Sequence, residues 1–288
     1  MQMPTPRDIE LAGSRMNIGR LLEVGVAVSD LDVATRTFVG LLGAGATAPI
    51  RAPMFSMNFN MCRLGDVDFE LMMPYAASSI VNRFIDVRGE GLHHVAFQVP
   101  DIDETIAQCR SRGLPILSNE PVLLGGLRAA FLHPGCLSGL LVEFVENLHT
   151  WSSIAPDAGA KERKNARRIS GFGVAVTDVD AAAASYADIL GAEISAPHWN
   201  EMLDGRACYA FLNGIRFELI ASTASRIDPA RLSHHRQGLH HVCLEVQNPE
   251  AFSPRCDHDG IRRRAGTPFL TDPAACHGVA FEIRPATG

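Results

Sequence analysis

Two similar stretches, GLHHVAFQVPDID at 91–103 and GLHHVCLEVQNPE at 238–250, decide the fold of this 288-residue chain. Each carries paired histidines after an initial Gly-Leu, continues with alternating apolar and polar residues, and ends in polar residues suited to open a helix. An alternation of period two is typical of a β-strand with one buried face, and Asp or Asn favours a helix start. The stretches therefore predict a strand followed by a helix, twice, 147 positions apart.

Other stretches show that the whole chain is a tandem duplication. VGVAVSDLDVATRTFVGLLGA (24–44) matches FGVAVTDVDAAAASYADILGA (172–192) at an offset of 148. FELMM (69–73) matches FELIA (217–221) at the same offset. Self-similarity on this scale indicates repeated structural units that pack in an equivalent way.

Each half also repeats its own pattern of strand and polar-led helix, which gives four modules. We predict an α+β fold in which each module is βαβββ, with one amphipathic helix covering one sheet face and the other face free to line a cavity. The predicted boundaries are an N-terminal domain at 18–147 (modules 18–88 and 89–147), a linker at 148–167 rich in Ala, Ser and charge, and a C-terminal domain at 168–286.

Composition indicates a globular protein without a nucleic-acid or membrane partner. Hydrophobic residues make up 47% of the chain, charged residues 20%, and the net charge is −6, so no basic field favours nucleic acid. No apolar run approaches the roughly 20 residues that cross a bilayer, and the first residues lack the apolar core of a signal peptide. Seven scattered cysteines without a CxxC spacing favour reduced, buried thiols over disulfides or a thiolate metal site. We therefore expect a cytoplasmic protein.

The strand GLHHVAFQV, its Asp-led helix and the closing stretch HPGCLSGLLVEFVE (133–146) resemble the vicinal oxygen chelate superfamily, and within it most of all methylmalonyl-CoA epimerase. The superfamily also includes glyoxalase I, extradiol dioxygenases and bleomycin-resistance proteins. The resemblance implies that two modules form one half-barrel cup, with a divalent metal ion on its floor. The implied ligands are the first residue of each module's first strand and one residue of its last strand, which are Glu23, Glu70, His94 and Glu143.

The residues themselves agree with a site on the open face of the sheet. By alternation, His94 shares its strand face with Ala96, and Glu23 shares its face with Gly25, so polar groups stand beside small ones. Glu143 interrupts an apolar strand, where a carboxylate without a partner or a metal is costly. Taken singly, a strand histidine is more often structural and a strand glutamate more often solvated. Three carboxylates and one imidazole would favour Mn²⁺, Mg²⁺ or Co²⁺, with Ni²⁺ and Zn²⁺ as alternatives.

The second half departs from this pattern. Glu218, His241 and Glu282 align with three of the ligand positions, but Gly171 stands at the position of Glu23. The last module is also eight residues shorter, and Pro254 falls within its helix. We predict a partly degenerate C-terminal cup that mainly supports the first, with a second, weaker metal site as the alternative.

The implied chemistry is proton transfer at a carbon next to a carbonyl, as in an epimerase, another isomerase or a lyase of the glyoxalase type. The candidate acid/base residues are Glu143 and Glu23, and the substrate would be a small carbonyl compound or thioester. Met54 stands where the epimerase resemblance implies a further base, which departs from the family pattern. Having one histidine per half at the ligand positions disfavours an extradiol dioxygenase.

A non-catalytic protein that binds or sequesters a small molecule is the alternative from a different class. An alternating apolar stripe could line its pocket, namely Phe55, Met57, Phe59 and Met61. Because many relatives of half this length pair as homodimers, the chain could be a monomer that contains its own pseudo-dimer, or it could form a homodimer.

Overall fold

The computed structural model describes residues 15–124, 126–146, 166–222, 237–247, 249 and 270–286. These residues form two curved sheets, one in each half of the chain. No helix in these ranges is both long and apolar enough to cross a membrane.

The first sheet has nine strands in the order β2-β4-β5-β1-β6-β9-β8-β7, with β3 paired to β4. At its centre β1 pairs antiparallel with β6, while β1 runs parallel to β5 and β6 runs parallel to β9. The two modules thus meet at the β1–β6 pair. The strands are β1 (Leu21–Ala27), β2 (Gly45–Ala46), β3 (Ile50–Ala52), β4 (Met57–Leu64), β5 (Val67–Pro74), β6 (Gly91–Gln98), β7 (Val122–Leu124), β8 (Leu127–Leu132) and β9 (Val142–Glu146).

The second sheet repeats this plan with seven strands in the order β11-β13-β14-β10-β15-β16, with β12 paired to β13. Its central pair, β10 and β15, is again antiparallel, and each runs parallel to its outer neighbour. The predicted α+β fold of tandem half-barrels is confirmed. The strands are β10 (Ala166–Ala175), β11 (Glu193–Ile194), β12 (His198–Asn200), β13 (Gly205–Leu212), β14 (Ile215–Ser222), β15 (Gly238–Val246) and β16 (Ala280–Pro285).

Aspartate side chains cap the starts of three helices. The Asp30 carboxylate caps α1 (Leu31–Leu42) by accepting a hydrogen bond from Val33 N, and Gly43 ends it with a φ of 68°. Asp101 and Asp178 cap two further helices in the same way. These are α3 (Ile102–Ser111) and α4 (Val179–Leu190).

The alternation along the central strands is confirmed. Val24, Val26, Val95 and Phe97 join the main apolar core beneath the helices, so the intervening residues face the cup. This core continues across the two halves, since the rings of Phe97 and Phe217 lie 6.3 Å apart.

A polar chain also joins the halves. Glu90 accepts a hydrogen bond from Ser29 N at 2.5 Å and lies 3.1 Å from His277 Nδ1, while His277 Nε2 lies 3.2 Å from Thr37 Oγ1. Glu90 immediately precedes β6, so the second half contacts the strand that carries His94.

The structure differs from the sequence prediction in three places. Phe55 is not part of a strand: residues Pro53–Phe55 form a 3-10 turn, and the strand starts at Met57. The cup face is not left entirely open, because an unforeseen helix α2 (Ile80–Arg88) packs across it through Val81. Ala166 and Arg167, placed in the linker by the sequence, already belong to β10.

Some predictions fall outside the described residues, namely most of the linker and the helix of the fourth module with Pro254. The six described cysteines form no disulfide with one another, and all but Cys136 are buried.

Candidate metal centre

Four adjacent strands bring the four residues singled out in the first half together. Glu70 lies on β5, Glu23 on β1, His94 on β6 and Glu143 on β9, in the order of the sheet. His94 Nε2 lies 3.5 Å from Glu23 Oε1, 3.7 Å from Glu70 Oε2 and 3.1 Å from Glu143 Oε2. All four side chains are at least 86% shielded from solvent, so the cluster is enclosed on the cup floor.

A glycine sets the position of the His94 ring. Gly25 pairs with His94 across the β1–β6 ladder. A Cβ on Gly25 would lie 2.2 Å from the imidazole, so only glycine leaves room for the ring in this place. The same arrangement recurs in the second half between Gly173 and His241.

His93 holds the ring from the other side. Its Nδ1 lies 3.0 Å from His94 Nδ1, and its own ring packs against Phe84 at 4.8 Å. Burial, together with the neighbouring His94, lowers the pKa of His93 to about 3, so this ring is neutral. Because Nδ1 of His94 contacts His93, Nε2 is the atom that faces the carboxylates.

The cluster concentrates negative charge in a buried place. Burial raises the pKa of Glu70 well above its usual value, and it raises the pKa of Glu143 to about 7 against the opposing effect of His94. For His94, burial disfavours the charged ring, but Glu143 and Glu23 outweigh it and raise the pKa to about 10. Among the four residues of the cluster, the His94 ring is the one cation beside three carboxyl groups.

The donor set fits a divalent metal ion. Ligand atoms of Glu23, Glu70 and His94 lie within 4.8 Å of one another, and Glu143 adds a further oxygen beside His94. Within the described part of the chain, His94 Nε2 is buried and has no hydrogen-bond partner of acceptable geometry. A buried nitrogen that faces three carboxylates without a well-formed hydrogen bond to any of them is what an ion between them would satisfy.

A cavity of about 60 Å³ opens above these four residues. Phe131 approaches the His94 ring edge-on at 6.1 Å, and Val81 of α2 closes the opposite side. Among the described residues that line this cavity there is no lysine or arginine. Its apolar wall includes Phe59, Met61, Met72, Val81, Leu127 and Phe131.

Met54 does not replace the further base that the epimerase resemblance implied. Its side chain is 60% exposed in the turn before β4 and does not line the cavity.

The second cup holds a different cluster from the one expected. His241 Nε2 lies 3.4 Å from Glu282 Oε2, as predicted, but Cys243 Sγ also donates to Glu282 at 3.0 Å. Ligand atoms of His241, Cys243 and Glu282 lie within 4.8 Å of one another. Glu218 is not in this group; it instead accepts a hydrogen bond from Asn200 at 2.8 Å.

Cys243 could have been found from the sequence. It stands two residues after His241, which places both side chains on the same face of one strand. The spacing of cysteines along the chain is informative for disulfides and zinc motifs. It does not reveal that Cys243 contacts Glu282 on the neighbouring strand.

The fold and the first cup define a class of protein: a tandem half-barrel with a histidine–carboxylate cluster on a cup floor. The chain belongs to the Glyoxalase/Bleomycin resistance protein/Dioxygenase superfamily, whose sequence model matches residues 23–131 and 172–281. The two matched segments correspond to the two halves.

Similar proteins include methylmalonyl-CoA epimerases. The mitochondrial enzyme of Bos taurus is 33% identical over 134 residues, which cover 46% of this chain and 77% of that protein. The ethylmalonyl-CoA/methylmalonyl-CoA epimerase of Cereibacter sphaeroides is 31% identical over 44% of this chain and 96% of that protein. A solved structure of Streptomyces coelicolor methylmalonyl-CoA epimerase with 2-nitronate-propionyl-CoA is 28% identical, covers 46% of this chain and 99% of that chain, and has a TM-score of 0.44.

Proposed function

We propose that the N-terminal cup is the active site of a metal-dependent epimerase that acts on a carbon next to the carbonyl of a small acyl thioester. Glu23, Glu70, His94 and Glu143 would hold the metal ion. The observation that carries this proposal is the buried Nε2 of His94, which has no hydrogen-bond partner among the described residues and faces three carboxylates within 3.7 Å.

A divalent ion held by these four residues would supply a Lewis acid for the substrate's carbonyl oxygen. The ligand set, with three carboxylates, favours Mn²⁺, Mg²⁺ or Co²⁺, with Ni²⁺ and Zn²⁺ as alternatives.

Glu143 and Glu23 are the proposed acid/base pair. They lie on β9 and β1, the two neighbours of the strand that carries His94, and Glu143 Oε2 and Glu23 Oε1 both face the cup floor beside His94 Nε2. Epimerisation needs one group on each face of the reacting carbon, one to take the proton and one to return it. Such groups contribute about 10²–10⁴-fold each.

Other residues keep water away and hold the acyl group. Phe59, Met61 and Phe131 give the cavity an apolar wall, and Val81 covers it from α2. Excluding water strengthens the electrostatic effects within the site and prevents loss of the proton to solvent. The methylmalonyl-CoA epimerases among the relatives support an acyl-CoA thioester as the substrate class.

The test follows exchange of the α-hydrogen of methylmalonyl-CoA in D₂O, together with the metal content of the purified protein. We expect exchange that is lost with a chelator and restored by Mn²⁺ or Co²⁺. His94→Ala should lose both metal and exchange. Glu143→Gln should lower the exchange rate about 10²–10⁴-fold.

The matched control for His94→Ala is His241→Ala, which removes the equivalent histidine of the second half and should leave exchange unchanged. A protein that stays metal-free after reconstitution would contradict the metal site and favour the non-catalytic binding alternative. A metal-loaded protein that exchanges no α-hydrogen but isomerises a hemithioacetal would overturn the epimerase and indicate a glyoxalase-type lyase.

A further inference from the structure

Arg284 occupies, in the C-terminal cup, the place that Val145 has in the N-terminal cup. In the first sheet Ala96 pairs with Glu143 and Gln98 with Val145 along the parallel strands β6 and β9. In the second sheet Cys243 pairs with Glu282 and Glu245 with Arg284 along β15 and β16. Since His241 is the counterpart of His94, the two registers are equivalent, and an apolar cavity residue is replaced by a cation.

The Arg284 guanidinium lies between the two glutamates of this cup. Its Nη2 is 2.8 Å from Glu282 Oε1 and 3.6 Å from Glu218 Oε2. The Glu218 side chain is only 1% exposed and that of Glu282 only 10%, so neither charge is balanced by water. Buried carboxylates need a partner, and here Arg284 supplies the positive charge beside both, together with His198 3.1 Å from Glu218 and His241 3.4 Å from Glu282.

The fourth ligand position of the first cup has no carboxylate in the second cup. Gly171 stands where the first half has Glu23, and it pairs with Arg216 as Glu23 pairs with Asp68. A Cβ on Gly171 would lie 2.1 Å from the carbonyl oxygen of Arg216, so no carboxylate side chain can be placed there without moving the backbone.

The thiol of this cup is held in its protonated form. Cys243 is buried and donates to Glu282. Metal binding requires the thiolate, and the ion would have to share Glu282 with a guanidinium 2.8 Å away. The residues of this cup therefore do not fit a divalent ion, in contrast to those of the first.

We propose that the C-terminal cup is a metal-free site in which the Arg284 guanidinium serves as the permanent counter-ion of Glu218 and Glu282. Replacing it with an uncharged side chain should turn the cup into a metal site formed by His241, Cys243 and Glu282. Arg284→Val is the natural replacement, because it restores the residue of the N-terminal cup.

The cysteine provides a signal specific to this cup. Co²⁺ bound to a thiolate gives a charge-transfer absorption band, and none of the described residues that line the first cavity is a cysteine. We expect wild-type protein titrated with Co²⁺ to show no thiolate band and to bind one ion per chain. Arg284→Val should show the band and bind about one more ion, with an affinity about 10–100-fold higher than any wild-type binding at this site. Arg284→Val combined with Cys243→Ser should lose the band again.

Two variants control for side-chain volume and charge. Arg284→Lys keeps a cation and should behave as the wild type. Arg284→Met removes the charge but keeps a long side chain, and it replaces Arg284→Val in the titration if the valine variant does not fold. Far-UV circular dichroism checks folding in each case.

Two results would overturn the proposal. One is a thiolate–Co²⁺ band in the wild-type protein that disappears in Cys243→Ser. The other is a folded, uncharged Arg284 variant that gains neither band nor ion. These outcomes are separate from a failure of the proposed N-terminal site, which would show as wild-type metal content that His94→Ala leaves unchanged.

Discussion

The imidazole of His94 lies directly over Gly25 on the adjacent strand, with a Cβ at Gly25 excluded by a ring only 2.2 Å away. The duplicated pair, Gly173 and His241, has the same relationship, with a Cβ excluded at 2.0 Å. Both copies therefore keep the small residue that lets the histidine lie flat on the cup floor, although the groups around each histidine differ.

Gly25→Ala should displace the His94 ring. Because the nearest atoms belong to a buried side chain fixed by His93, we expect a loss of about 1–3 kcal/mol in the free energy of unfolding, the usual cost of overpacking. Metal affinity should fall as well. Urea unfolding and metal titration measure the two effects.

Gly40→Ala is the control for Gly25→Ala. Gly40 lies on the exposed side of α1, with no atom within 4 Å of an added Cβ, so alanine should stabilise the helix by about 0.5–1 kcal/mol. Equal destabilisation by both substitutions would contradict the role assigned to the ring contact.

Val145→Arg should transfer the arrangement of the second cup to the first. Val145 lines the N-terminal cavity at the position of Arg284, so an arginine there can reach the carboxylates of the cup floor. We expect metal content to fall from one ion per chain to none, together with α-hydrogen exchange. Val145→Met tests the effect of size alone, and it should retain the ion. Full metal content in Val145→Arg would mean that a cation at this position does not exclude the metal.

Ser79→Ala should loosen helix α2 over the cavity. Ser79 caps the helix by accepting a hydrogen bond from Val81 N at 3.2 Å, and its hydroxyl donates to Phe55 O at 2.8 Å. Losing both should cost about 1–2 kcal/mol in the free energy of unfolding. Amide hydrogen exchange should increase across 80–88. The exposed neighbour Ser78→Ala should change neither, and unchanged exchange in Ser79→Ala would show that packing through Val81 alone holds the helix.

Glu90→Ala should weaken the contact between the halves. The carboxylate joins Ser29 N to His277 Nδ1, and hydrogen bonds to a charged group typically contribute about 1.5–3 kcal/mol. We expect a destabilisation of that size and a coupling of at least about 0.5 kcal/mol with His277→Ala in a double-mutant cycle. Additive effects of the two substitutions would show that the contact does not couple the halves.

Much of the fold could be predicted from sequence because the strand alternation and the internal repeat were both clear. The alternation of Val24, Val26, Val95 and Phe97 marked the buried face, and the offsets of 148 and 147 fixed the equivalent registers. The same parity placed His94 on the cup face, and the family resemblance implied Glu143 as a companion ligand; the structure brings the two side chains within 3.1 Å.

What sequence reasoning missed depends on tertiary contacts. Helix α2 is only nine residues long, and what it covers is decided by packing on a distant strand. Phe55 follows the strand alternation but lies in a turn that begins at Pro53, whose ring cannot continue a ladder. In the sequence Arg284 is an ordinary strand residue. Its role depends on contacts with Glu282 on its own strand and with Glu218 on β14, which only the structure shows.

The salt bridge of Arg284 has a consequence for how the chain would respond to metal scarcity. With the N-terminal ion that we propose, the carboxylates of the first cup are neutralised by a metal ion bound from solution. Those of the second cup are neutralised by Arg284, which is part of the polypeptide. Removing the metal would then destabilise the N-terminal cup and leave the stability of the C-terminal cup unchanged. The duplication would thus join a lobe whose stability depends on bound metal to one whose stability does not.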